Sequence, residues 1–211
     1  MRDIFKEFLD DTSNFQFIAD RSESDLQFEL GYFLRNKQKL ENVRFEYQFK
    51  DFYEKDKILK KEADICVING DAVDTCIEIK LLKENSGITN FFASCFEDIC
   101  YLLQLKKGGA IGHGYFILVC ASTKAIESSN SSTGSRFWKG ASKINDEGNF
   151  KGTQLSDYTI NDLPNETSWK HEKLRSLVKT DNALDSLAEK RIEYSYRSNK
   201  NTEYAFCIVE L

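Results

Sequence analysis

The chain has 211 residues, 41% hydrophobic and 13% aromatic, with 30% charged and a formal net charge of −5. Sixteen Phe and nine Tyr exclude a disordered chain, and the length suits a single domain, with or without an elaboration. No apolar stretch is long enough to span a bilayer, the N-terminus Met1-Arg2-Asp3-Ile4-Phe5-Lys6-Glu7 is too charged for a signal peptide, and the acidic balance does not advertise indiscriminate nucleic-acid binding, so a soluble cytoplasmic protein is expected.

Residues 1–20 carry Phe5, Phe8, Leu9, Phe15, Phe17 and Ile18, which predicts a short helix and a turn. Ser22-Glu23-Ser24-Asp25 has the form of a helix N-terminus, with short polar capping residues ahead of an acid. Leu26, Leu30, Phe33 and Leu34 then recur at helical spacing. Glu29 borders that stripe, where it either faces the sheet edge or flanks the helix in solvent.

From Val43 to Tyr53 aromatic and polar residues alternate, which predicts a half-buried strand. Two further strands follow, Ala63 to Ile68 and Thr75 to Leu81, joined by the hairpin signal Asn69-Gly70-Asp71. Residues 89–107 read as a buried helix, ended by Lys106-Lys107-Gly108-Gly109. The unbroken apolar run Tyr115 to Cys120 fits an interior strand, of the kind that pairs in parallel. The glycines of 108–114 precede a strand instead of opening a helix, the reverse of a phosphate-cradling loop. Beyond residue 120 the pattern weakens to a Ser/Asn/Thr-rich loop, a helix over about Trp169 to Leu187, and a β-hairpin of Ile192–Tyr196 with Tyr204–Val209.

The six cysteines, Cys66, Cys76, Cys95, Cys100, Cys120 and Cys207, contain no CxxC pair and lie largely in apolar runs. They read as reduced core thiols, and with two histidines in the chain their spacing does not suit zinc.

The chemistry-bearing signal is Asp64 followed, after thirteen intervening residues, by Glu78-Ile79-Lys80. Side chains alternate along a strand, so Glu78 and Lys80 share one face while Ile77, Ile79 and Leu81 share the other. With the Asp64 strand alongside, two carboxylates and an ammonium converge. Oxygen ligands of this type suit a hard cation, and a neighbouring lysine suits work on phosphate. The bland alternative is a solvated strand face bearing ordinary surface charges.

The element order helix, strand, strand, strand, helix, strand, with acids at these places and Lys80 two positions after Glu78, resembles the PD-(D/E)XK nuclease superfamily. The matching region is about 22–120, and Ala63 stands where that family's proline is usual. The resemblance implies an α/β fold with a restriction-endonuclease-like core, a mixed central sheet flanked by helices in the order α-β-β-β-α-β, with a C-terminal elaboration over 121–211 of the same single domain. It implies Asp64 and Glu78 as ligands of Mg²⁺, with Mn²⁺ able to substitute, and the Ile79 carbonyl as a third. Lys80 would position or deprotonate the attacking water and steady phosphate charge, and Glu29 would be the helix-borne acid. Lys60, Lys61 and Lys83 flank the catalytic strands as DNA-phosphate contacts, and Arg136, Trp138 and Lys139 form a possible recognition insertion, an ordinary surface loop being the alternative. The function so implied is a Mg²⁺-dependent DNA endonuclease, a type II restriction enzyme or related bacterial defence nuclease. A homodimer is expected, and a cognate methyltransferase encoded nearby would favour restriction. The alternatives are a structure-specific repair or recombination nuclease, or an inactive nucleic-acid-binding or assembly protein on the same fold.

Overall fold

The computed structural model describes residues 1–10, 21–50, 60, 62–83, 88–120, 149–150, 192–199 and 202–211. It is an α/β protein. Helix α1 (Arg2–Asp10) and helix α2 (Glu23–Asn36) precede strands β1 (Val43–Gln48), β2 (Glu62–Asn69) and β3 (Ala72–Leu82). Helix α3 (Ile88–Lys107) then leads to β4 (His113–Cys120), followed by β5 (Asn149–Phe150), β6 (Ile192–Asn199) and β7 (Thr202–Glu210). The strands form one seven-stranded sheet in the order β1-β2-β3-β4-β7-β6-β5.

The β2–β3 hairpin turns at Gly70, whose φ of 61° is the left-handed conformation that the Asn69-Gly70-Asp71 signal anticipates. Strand β4 pairs with β3 in parallel, from Thr75↔His113 to Leu82↔Cys120, and every other strand pair is antiparallel. A parallel neighbour requires a crossover, which α3 supplies. The predicted C-terminal hairpin is present as β6–β7 and joins the same sheet through β7 beside β4. The first strand is shorter than its alternating pattern, ending at Gln48, and the predicted helix near 169–187 lies outside the described residues.

The two faces of the sheet are covered differently. Ile65, Val67, Ile77, Ile79, Leu81, Ile117 and Val119 form one apolar cluster with Phe5, Phe8 and Leu9 of α1 and Leu26, Leu30, Phe33 and Leu34 of α2. Each such side chain contributes about 1.5–3 kcal/mol by leaving water. The opposite face carries Cys66, Cys76, Glu78 and Phe116, and α3 packs over it, Leu102 lying beside Gly114. Alternation along β3 therefore sends its apolar residues to α1 and α2, and Glu78 to α3.

Helix α2 begins with a full capping box. The Ser22 hydroxyl accepts the Asp25 amide at 3.2 Å, and Asp25 Oδ2 accepts the Ser22 amide at 2.8 Å. Gly31 lets the helix lie against β1, because a Cβ there would sit 2.1 Å from Phe45 Cζ. Cys66 and Cys76, opposite each other in register, are joined by a disulfide, which corrects the expectation of reduced thiols for this pair. Hairpin register decides that pairing, and no CxxC spacing announces it. Cys95 and Cys100 are buried reduced thiols, as expected. Among the described residues no helix is long and apolar enough to cross a membrane.

Candidate functional site

Strands β2 and β3 part where the acids stand. Their ladder runs from Asn69↔Ala72 to Ile65↔Ile77 and stops there. Beyond it β3 keeps only β4 as a partner, so its outward amides need other acceptors. Carboxylates supply them: Asp64 Oδ2 accepts Ile79 N–H at 2.8 Å, and Glu23 Oε2 accepts Leu81 N–H at 3.2 Å. Across the other edge of β2, Glu46, between the Phe45↔Ile65 and Tyr47↔Ala63 pairs, has a φ of 48°, a conformation uncommon outside glycine.

Glu78 points into the space beneath α3 and is completely buried. The solvated-face alternative is therefore excluded. Lys60 Nζ lies 2.7 Å from Glu78 Oε2 and 2.6 Å from Asp98 Oδ1 of α3. Lys80 Nζ lies 3.0 Å from Glu23 Oε1, and 3.0 Å from Asp98 Oδ2 in an ion pair without hydrogen-bond geometry. The Lys60 ammonium also sits over the Tyr101 ring, 5.6 Å from its centroid. Glu78 Oε1 and the Tyr101 hydroxyl are buried without a hydrogen-bond partner.

Burial pushes the Glu78 carboxyl well above its ordinary range. Asp98 and Asp64 push the same way, and Lys60 opposes them. Burial would lower Lys60, but Glu78, Asp98 and Asp64 outweigh it and hold the ammonium proton more tightly than in water. Lys80 behaves likewise, with Asp98 and Glu23 overcoming its burial. Tyr101 is raised by burial and by the same carboxylates. Glu23, Asp64, Glu78 and Asp98 against Lys60 and Lys80 leave the cluster formally two positive charges short.

The structure brings Asp64, Glu78, Ile79, Lys80 and Lys60 together. It does not bring Glu29 there: that carboxylate takes Arg21 Nη1 at 2.8 Å on the outer side of α2. Glu23, in the first turn of the same helix, is the acid that reaches the cluster, at Lys80 Nζ and the Leu81 amide. Lys60 is a buttress inside the cluster, with 27% of its side chain exposed, more than an outlying phosphate contact. Lys83 is half-buried after β3, close enough to Asp25 to influence it. Lys61, Arg136, Trp138 and Lys139 lie outside the described residues.

Sequence reasoning missed Glu23 and Asp98. Asp98 had a signal: it sits among Cys95, Ile99 and Leu102 on the apolar face of a helix, where an unpaired acid is costly. Glu23 had none beyond its place in the cap.

Among the described residues no group of three or more His, Cys, Asp or Glu side chains is arranged to hold a metal ion, the lysines standing between the carboxylates. The donor chemistry nonetheless fits a hard divalent cation, with oxygen ligands only, a bare buried oxygen on Glu78 and a deficit of positive charge. A separate cavity of about 1010 Å³, lined by Tyr47, Phe49, Asp71, Asp74 and Gly112 among others, contains none of these groups. Compared with protein-family models, curated proteins and solved structures, the chain matches none.

Proposed function

We propose that this chain is a divalent-metal-dependent DNA endonuclease, of the type II restriction or related bacterial defence kind, built on a restriction-endonuclease-like core. The observation that carries the reading is the placement of buried Glu78 beside Asp64 and Lys80 where β2 and β3 separate. An ordinary sheet gains nothing from a buried carboxylate with a bare oxygen, and such groups cluster at functional sites.

Asp64 and Glu78, with the Ile79 carbonyl, are the groups that would hold Mg²⁺ or Mn²⁺. When bound, the ion supplies Lewis acidity and charge compensation at a phosphate. Lys80 is clamped between Glu23 and Asp98 and keeps its proton at neutral pH. Of the two roles expected for it, steadying developing phosphate charge fits, and taking a proton from water does not. Glu23 and Asp98 are positioning residues, since each fixes the Lys80 ammonium. Lys60 holds Glu78 and Asp98 apart from bulk water's competition and preserves their geometry.

One observation favours a second reading, that of a nucleic-acid-binding or assembly protein without catalysis. The Lys60 ammonium already serves as counter-ion to Glu78 and Asp98.

The test is incubation of purified protein with supercoiled plasmid and Mg²⁺ or Mn²⁺, beside Asp64→Ala, Lys80→Ala and an EDTA control. Discrete fragments from the wild type alone are expected. No cleavage of plasmid or branched DNA with either metal would overturn the enzymatic reading and leave the binding protein.

A further inference from the structure

Among the described residues, the two exposed large hydrophobic side chains both lie on the outward face of α2. Phe28 is 62% exposed and Tyr32 is 59% exposed. They are flanked along the same stripe by exposed Asp25 and Arg35. The steps 25, 28, 32 and 35 follow the three-and-four spacing of a helix seam.

The stripe is its own complement. Asp25 and Arg35 lie equally far from Leu30, and so do Phe28 and Tyr32. Reversing the helix about that level places acid against base and ring against ring. Charge follows the same polarity, with Glu23, Asp25 and Glu29 in the first half and Arg35, Lys37 and Lys39 at the end. A surface that matches itself after a two-fold rotation is what an isologous dimer requires.

The stripe is also held in place before any partner arrives. Phe28 stacks on Phe45, with centroids 6.3 Å apart and planes 18° from parallel. Phe45 is seated over Gly31, and the Arg35 guanidinium lies 5.4 Å from its centroid while donating to the Val43 carbonyl. Asp25 is ordered by the Ser22 cap. Anchors already ordered lose little entropy on association.

We propose that this face of α2 docks a second copy of the chain, the two helices antiparallel about a two-fold axis level with Leu30. Each Phe28 lies against the partner's Tyr32, and each Asp25 faces the partner's Arg35. The inference stands on the helix face alone and does not depend on the nuclease reading.

The test is sedimentation equilibrium of the full chain. Wild type is expected to have the mass of a dimer. Tyr32→Lys, at a position 59% exposed, is expected to raise the dissociation constant by about thirtyfold or more, as loss of an interface hot spot does. Asp25→Arg and Arg35→Glu each place like charges opposite each other, so each alone is expected to be monomeric. An equimolar mixture of the two restores both ion pairs and is expected to recover the dimer. Should Asp25→Arg fail to fold for loss of its cap, Tyr32→Lys and Arg35→Glu decide the question. A monomeric wild type would overturn the proposal and leave the stripe to another protein or to unpaired bases. A dimer unaffected by Tyr32→Lys or Arg35→Glu would overturn it equally, by placing the interface elsewhere.

Discussion

The Asp64 carboxylate accepts the backbone amide of Ile79 at 2.8 Å, at the level where β2 and β3 stop pairing. One side chain thus does the work of a missing strand and also stands next to Glu78. The hydrogen bond gives Asp64 a structural share that substitution can separate from a chemical one. Asp64→Asn keeps an acceptor for the Ile79 amide and is expected to hold stability near wild type while abolishing metal-dependent plasmid cleavage. Asp64→Ala leaves that amide unpaired and is expected to cost a further ~1–3 kcal/mol in urea unfolding. Equal stability of the two variants would remove the structural share.

Glu23 and Glu29 lie on one helix but in different surroundings, and activity should tell them apart. Glu23→Ala frees the Leu81 amide and leaves the Lys80 ammonium held by Asp98 alone. We predict a fall in cleavage rate of about 10²-fold from the misplaced lysine. Glu29→Ala removes a half-buried pair with Arg21 outside the cluster and is expected to leave the rate within about twofold. The reverse ranking would mean that the helix-borne acid is Glu29 after all.

Lys60 is the main cation facing Glu78 and Asp98. Lys60→Met strands buried Glu78 and leaves Asp98 only its ion pair with Lys80, and breaking such a pair costs about 3–5 kcal/mol in full burial. Partial exposure of the Lys60 head screens the pair and brings the expectation to about 1–3 kcal/mol. A divalent ion can replace the missing charge, so Mn²⁺ should raise the melting temperature of Lys60→Met more than that of wild type. Thermal unfolding with Mn²⁺ and with EDTA measures this, and an equal shift for both proteins would argue against a metal at the cluster.

The raised Glu78 carboxyl sets a pH dependence whose sign is determined. The folded protein binds this proton more tightly than the unfolded chain, so the contribution is full below the ordinary Glu value of 4.5 and is lost as pH rises through the higher folded value. Glu78→Gln keeps the group neutral throughout. Wild type should therefore lose stability relative to Glu78→Gln as pH rises from about 4.5 toward neutrality. Saturating Mg²⁺ should narrow the gap by favouring the ionised wild-type carboxylate. Melting temperatures at stepped pH test both statements, and parallel curves without metal would contradict the assignment.

Much of the framework was legible locally. The hairpin at Asn69-Gly70-Asp71, the Ser22 cap, the span of α3 and the parallel character of β4 each follow from turn chemistry or from apolar runs read over a few residues. The face-sharing of Glu78 and Lys80 follows from the period of a strand. The choice between Glu23 and Glu29 does not. They are six residues apart, or about 9 Å along a helix axis, and only the docking of α2 on the sheet decides which one meets β3.

By itself the sequence determined the order of elements, the apolar faces and the pair of acids on neighbouring strands, because backbone sterics and side-chain alternation act over short range. The tertiary structure alone decided that Glu78 is wholly buried, that Lys60 and Asp98 join it, that Cys66 bonds Cys76, and that the stripe of Phe28 and Tyr32 is left facing outward. Those outcomes depend on how helices seat on the sheet and on the register of its strands. Charges brought together from residues 23, 60, 64, 78, 80 and 98 share no local pattern, and their mutual field exists only once the chain has folded.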